Sequence, residues 1–188
     1  MTIEAPRKTT TWTIDPLHST AEFVVKHLVV ATVKGRFRDF EATLYIDEAH
    51  PENSSVEAKF AVASVDTSVG ARDADMRSDK YFSADKFPYI TFRSTRLERL
   101  DEEHFRLTGD LTILDVTREV VLAGEYEGQI EDQKGDRRAG FTATTEISRK
   151  EFGVRWNRVI EAGGAAIGDN VKITLHIEAI RRKEETNQ

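Results

Sequence analysis

Apolar and polar side chains alternate with a period of two along most of the chain, the spacing that sends successive side chains to opposite faces of a β-strand. Ala21, Phe23 and Val25 share one parity; Val56, Ala58, Phe60 and Val62 share another. The pattern returns at Phe105, Leu107, Gly109, Leu111 and Ile113, and continues at Val120, Leu122, Gly124 and Tyr126. It closes with Ala139, Phe141, Ala143, Thr145 and Ile147, then Val171, Ile173, Leu175, Ile177 and Ala179. Segments 33–46 and 88–97 also read as strands. Within 33–46 the phase changes: Val33, Gly35 and Phe37 lie on one parity, Phe40, Ala42, Leu44 and Ile46 on the other. A one-residue slip inverts the faces of a strand, so a bulge or a barrel corner is expected near Arg38–Asp39. About eight long strands follow, with turn signals at Glu127-Gly128-Gln129 and Lys134-Gly135-Asp136. The expected class is all-β, an antiparallel sandwich or barrel. Eight strands closed on themselves leave an interior wide enough for side chains or one small ligand.

Two stretches depart from the pattern. Residues 71–80 lack β-branched side chains and predict one short helix, and Ser148–Trp156 predicts a helical turn before a strand. The folded unit is expected over 11–180, with a disordered segment at 1–10 and a frayed polar tail at 181–188. The length of 188 residues fits one domain. With 27 basic against 33 acidic residues the net charge is −6, which argues against a nucleic-acid partner. No apolar run approaches the length of an integral membrane segment, and residues 1–12 lack the apolar stretch of a secretory signal. A cytoplasmic location is expected, or a periplasmic or extracellular one if the sequence is a mature form. The absence of cysteine excludes disulfides, thiol nucleophiles and thiolate metal sites.

Catalytic and metal signals are sparse. Gly163 and Gly168 have phosphate-loop spacing, but Asp169-Asn170 replace the required Lys-Ser/Thr and the segment leads into a strand, so a glycine-rich turn is expected. Asp73, Asp75 and Asp79 superficially match a calcium loop, whose glycine and closing glutamate are replaced by Ser78 and Ala84. Asp73 and Arg77, four apart, instead read as a helical surface pair. Asp15, His18 and Ser19 hold the residue types of a hydrolytic triad, too close in a Pro-containing turn to stack in line. The histidines, at 18, 27, 50, 104 and 176, never fall four apart, and no metal is expected. His27 continues the inward parity of Phe23 and Val25, either bonded within a core or contacting a ligand.

Taken in order, several blocks resemble the YceI-like family of lipocalin-like polyisoprenoid-binding proteins. They are Trp12-Thr13-Ile14-Asp15-Pro16-Leu17-His18-Ser19 with Phe23 and His27; Gly35-Arg36-Phe37 with Phe40; and Arg72-Asp73, Met76-Arg77-Ser78, Tyr81-Phe82 and Phe87-Pro88-Tyr89-Ile90-Thr91-Phe92. Gly109-Asp110-Leu111-Thr112-Ile113 with Val116-Thr117-Arg118 comes next. The last runs from Ser148-Arg149-Lys150-Glu151-Phe152-Gly153 through Trp156-Asn157, Glu161 and Gly163-Gly164 to Ile167-Gly168-Asp169. The chain departs from the family at Asp75-Met76, where His-Leu is common, and at Leu114-Asp115, where His-Gly is common. The resemblance implies an extended eight-stranded antiparallel lipocalin-like β-barrel holding a long isoprenoid or fatty chain, often in a homodimer.

On that reading the protein is a non-enzymatic carrier or store of a polyisoprenoid, such as a quinone precursor or an isoprenoid phosphate, with no cofactor. The candidate lining residues are Phe23, Val25, His27, Phe37, Phe60, Phe92, Phe141 and Trp156, each of which would otherwise fill a solid core. Arg72, Arg77 and Arg149 are candidate anion contacts, since guanidinium forks suit phosphate; the alternative for each is a surface ion pair. A second reading is an enzyme with an apolar substrate, His27 and Asp73 forming its acid–base pair. A third is a solid-cored interaction module.

Overall fold

The alternating segments become strands because each must bury one face, and here the sheet does so by closing on itself. The structure is a computed structural model describing residues 9–158 and 166–183. Its strands are β1 (Thr10–Ile14), β2 (Thr20–His27), β3 (Ala31–Phe37), β4 (Phe40–Ile46), β5 (Ser55–Ala61), β6 (Val65–Asp66), β7 (Tyr89–Arg99), β8 (His104–Ile113), β9 (Val116–Glu131), β10 (Arg137–Ser148) and β11 (Ile167–Arg181). One α-helix, α1, spans Gly70–Arg77, inside the expected 71–80 but for its first residue. A 3-10 turn at Arg149–Phe152 stands where the helical turn was expected.

All pairings are antiparallel, in the order β1-β4-β5-β7-β8-β9-β10-β11, and β11 returns to β1 through Trp12↔Arg181, Thr13↔Ile180 and Ile14↔Ala179. That is a closed barrel of eight strands. β2 and β3 extend the first two staves: β2 continues β1 along β11, and β3 continues β4 along β2. The first stave bends at Asp15–Ser19, where Pro16 follows an aspartate whose Oδ1 accepts the Leu17 N–H at 2.9 Å. The second bends at Arg38–Asp39, at the phase change read in the sequence.

The turn expected at 127–129 is not a turn. β9 runs through it, with Gly128 at φ +102° and a register shift opposite Gly140/Phe141. Glycine marked a bulge there rather than a chain reversal, and the bulge curves a 16-residue strand around the barrel. The signal at 134–136 is a true turn, Gly135 adopting φ +76°.

Two apolar clusters hold the wall. One joins Val62, Ile90, Phe92, Leu107, Leu111, Ile113, Val120, Leu122, Ile147 and Phe152; the other joins Trp12, Ile14, Phe40, Leu44, Ala139 and Ala179. Val56, Phe60 and Leu175 touch both and are only partly buried. In a solid core such bridging positions would be the most deeply covered; here they face a space. The excursion between β5 and β7 is tied off where Val62 N–H donates to Pro88 O at 2.9 Å. It carries β6 and α1 across one end of the barrel.

Candidate functional site

The inward parity of every long strand converges on one cavity of about 730 Å³. Its lining reaches from His27, Arg72, Met76, Tyr81 and Trp156 at the helix-covered end to Arg99, Asp101, His104 and Gln129 at the other. The walls between are apolar: Phe23, Val25, Phe37, Phe60, Phe92, Leu107, Phe141, Ile173 and Leu175 among others. This volume lies within the range that holds a small organic ligand.

Close aromatic placement shapes the walls. Phe23 lies across β3 from Gly35, where an added Cβ would overlap its ring; Phe105 covers Gly124 in the same way. A row of rings follows, Phe23 to Phe37 at 5.8 Å, Phe37 to Phe60 at 6.2 Å, and Phe60 stacked on Phe40 at 5.5 Å. Phe82, from the excursion, meets Phe37 edge-on at 6.2 Å. Across the barrel Phe141 packs between Phe105 and Tyr126. Trp156 stands half-exposed at the helix-covered mouth against Tyr81, 5.3 Å away, with the Lys80 ammonium 5.7 Å above its ring.

The arginines separate into three roles. Arg72 lines the cavity and gives only part of its fork to the protein, Nε to Thr67 Oγ1 at 2.7 Å and Nη2 to Thr67 O at 2.8 Å. Arg77 does not line the cavity: it follows Met76 by one residue and is turned about 100° away from it around α1. Arg149 lines it but is buried to 5% exposure, and its N–H groups go to the carbonyls of Gly168, Val154, Trp156 and Ile167. Burial pushes its guanidinium below the usual value, opposed by Asp169. As placed, Arg149 clamps the segments flanking the mouth and has no open fork for an anion.

The expected Asp73–Arg77 surface pair is not formed. Asp73 is 8% exposed and its Oδ1 accepts from the N–H and hydroxyl of Thr67, so α1 is tethered to the residue that follows β6. His27 lines the cavity and Asp73, bonded to Thr67, does not, so the two are not brought together as the expected acid–base pair. Asp75, at the departure from the family pattern, does reach the mouth, 3.5 Å from Lys80 Nζ.

Asp15 and His18 do bond, Nδ1 to Oδ2 at 3.0 Å, but the Ser19 hydroxyl is engaged by the backbone N–H and C=O of Glu178. No nucleophile completes the set. Asp15, His18 and Glu178 could in principle group around a cation, and one is already there: Arg138 bonds Asp15 at 2.9 Å, Asp132 at 2.7 Å, and Glu178. The His18 bond, and after it Arg138, hold the Asp15 carboxyl at about 2 against the opposing effect of burial. Gly163, with Glu161 and Gly164, lies outside the described residues; Gly168 belongs to β11.

A closed antiparallel barrel around an apolar cavity has the architecture that accommodates an apolar ligand. The sequence matches the family described as YceI-like domain over residues 12–179, and the chain belongs to that family. A curated relative, the UPF0312 protein of Ectopseudomonas mendocina, is 35% identical over 165 residues, covering 88% of this chain and 83% of its own. The crystal structure of Campylobacter jejuni YCEI protein is 30% identical with a TM-score of 0.74, covering 84% of this chain and 90% of that one. A polyisoprenoid binding domain from Saccharophagus degradans shares the fold at a TM-score of 0.68 and 14% identity, covering 93% and 100%. Among the described residues no helix is long and apolar enough to cross a membrane.

Proposed function

We propose that this protein is a non-enzymatic carrier or store of a long apolar lipid, a polyisoprenoid above all, held along the barrel axis. The observation that carries the reading is the apolar cavity of about 730 Å³ reaching between the barrel ends. Burying about 20 carbons of tail gains roughly 16 kcal/mol gross at about 0.8 kcal/mol per methylene. Ordering a flexible chain removes part of that, and enough remains for tight binding without a strong polar anchor. The head group then selects rather than holds. Arg72, with donors left over and Lys80 nearby, favours an anionic or phosphorylated head at the helix-covered end, where Asp75 sets a limit on how much negative charge is welcome. The polyisoprenoid binding of the Saccharophagus degradans domain supports the choice of ligand class. The commitment of the Asp73 carboxylate to Thr67, away from the cavity that His27 lines, supports binding over the acid–base reading. Organic extraction and mass spectrometry of the purified protein test this. Unchanged lipid in near-stoichiometric amount is expected; an empty protein that also fails to take up a prenyl probe, or accumulation of a modified product, overturns it.

A further inference from the structure

The hairpin joining β2 and β3 has an unusual tip. Its residues Leu28, Val29 and Val30 are all apolar and 36%, 79% and 87% exposed. Leu28 and Val29 have φ of +51° and +64°, a region that resists side chains and a β-branched one most of all. Turn positions of this kind ordinarily carry Gly, Asn or Asp, as the turn before β10 does with Gly135. Here backbone strain and exposed apolar surface coincide, a combination that stability alone does not explain. The tip is also held in place: Leu28 N–H donates to Ala166 O at 2.8 Å, and Val30 N–H to Leu28 O at 2.7 Å.

The flanks of this tip are basic in a chain whose net charge is −6. Lys34 and Lys172 stand exposed on either side of Val24, each its register partner on a neighbouring strand. Lys26 follows along β2, its ammonium donated to Thr32 Oγ1 at 3.1 Å. Among the described residues none of the three comes within ion-pair distance of a carboxylate, the neighbouring Lys150 being the one that holds Asp169. Directly behind the tip the same hairpin lines the cavity through Val25, His27 and Val33. Lys172 also has the exposed Glu146 opposite it on β10, so the surplus of positive charge along these strands rests on Lys26 and Lys34 with Lys172 partly offset. An apolar point with lysines along the strands leading to it, beside an apolar cavity, matches the chemistry of an anionic bilayer surface, acyl region inside and negative head groups around it.

We propose that the β2–β3 tip docks this end of the barrel on an anionic lipid bilayer, Leu28, Val29 and Val30 entering the head-group boundary while Lys26, Lys34 and Lys172 meet lipid charge. It extends the carrier reading by naming the surface with which cargo is exchanged, but docking itself does not depend on what the cavity holds.

Flotation of the intact protein with phosphatidylcholine vesicles, with and without about one third phosphatidylglycerol, tests it. The protein is expected to float with the anionic vesicles, and at least about tenfold less with the neutral ones. Val29→Gly removes the apolar side chain and suits the backbone, so thermal stability should hold or rise while binding falls roughly tenfold. Lys34→Glu combined with Lys172→Glu should abolish the preference for anionic vesicles. Failure of the folded wild type to float with either composition overturns the proposal. So does a stabilised Val29→Gly protein that floats unchanged, or a concentration-dependent dimer that Val29→Gly dissolves, which would make the tip an interface between copies. Lipid extraction and prenyl-probe uptake on the same samples separate the two readings: a protein that is empty, takes up no probe and still floats supports docking and defeats the carrier, and a loaded protein that does not float does the reverse.

Discussion

Replacing Phe23 by alanine distinguishes a lined cavity from a packed core. Phe23 is 8% exposed, so accessibility alone would class it as core, and a core Phe→Ala change costs about 3–5 kcal/mol. That figure combines the transfer of the ring out of water with about 24 cal/mol for each Å³ of void left behind. The wall side of the Phe23 ring rests on Gly35 and meets Phe37 at 5.8 Å; its inner side borders a cavity of about 730 Å³ that exists already. Only the wall side can create a new void. The expected loss is therefore close to the transfer contribution, about 2 kcal/mol. Urea melts of delipidated protein measure it, with an unchanged m-value confirming that the same surface unfolds. In parallel, titration with a fluorescent prenyl analogue should show affinity falling about fivefold, the equivalent of about 1 kcal/mol of lost contact. A stability loss of 4–5 kcal/mol with probe affinity unchanged would refute the reasoning, because it would place the ring in close packing on both sides and away from any ligand.

Three further outcomes are expected. Arg149→Met should destabilise by about 3 kcal/mol or more in urea melts, because it removes the Arg149 donors from the carbonyls of Val154, Trp156 and Gly168, Ile167 O keeping the Asn157 amide at 2.8 Å; Arg149→Lys should not restore it, since a point charge cannot reach that many acceptors at once. Arg72→Gln should weaken binding of a prenyl phosphate several-fold and leave the matching prenol unchanged, measured by competition against the fluorescent probe. Asp15, held at about 2 by His18 and Arg138, contributes stability that is complete above its ordinary value of 3.8 and is lost as the pH falls through about 2; circular dichroism in acid should show Asp15→Asn losing stability less steeply over that window than the wild type.

The barrel was legible because a closed sheet repeats one rule. Each long inward set named by parity, from Ala21-Phe23-Val25 to Val171-Ile173-Leu175-Ile177, lines the cavity or joins its wall. The short β1 and β6 left no such trace: five residues and two residues hold too few alternations to stand out. Gly128 was misread because a bulge and a turn ask the same backbone freedom of glycine, and only the register of the partner strand tells them apart. The candidate site divides along the same line. Phe23, Val25, His27, Phe37, Phe60, Phe92 and Phe141, placed by strand parity, reach the cavity. Arg77, Asp73 and Arg149 lie on the helix or the 3-10 turn, where direction depends on tertiary contacts such as Thr67 and the carbonyls around Gly168. Spacing carries no record of those contacts. Tyr126, Leu175 and Ile177 shared the inward parity and could have been added to the site on that ground alone.

The seam between β11 and β1 has a consequence for how the chain acquires its shape. β11 follows the other ten described strands in chain order, yet it pairs with β1 and β2, the earliest of them, as well as with β10. Until it arrives, Trp12 has no strand on one side and Ala21–Val25 has only β3. β1 and β2 must therefore wait for the whole stretch up to β11 with one hydrogen-bonding edge each uncovered, the situation that slows folding and invites misassociation. Chains that stop just short of β11 are then the hazardous species. A nascent chain lacking only its final strand would be a curled, open sheet with two free edges, and would be the form most in need of a chaperone.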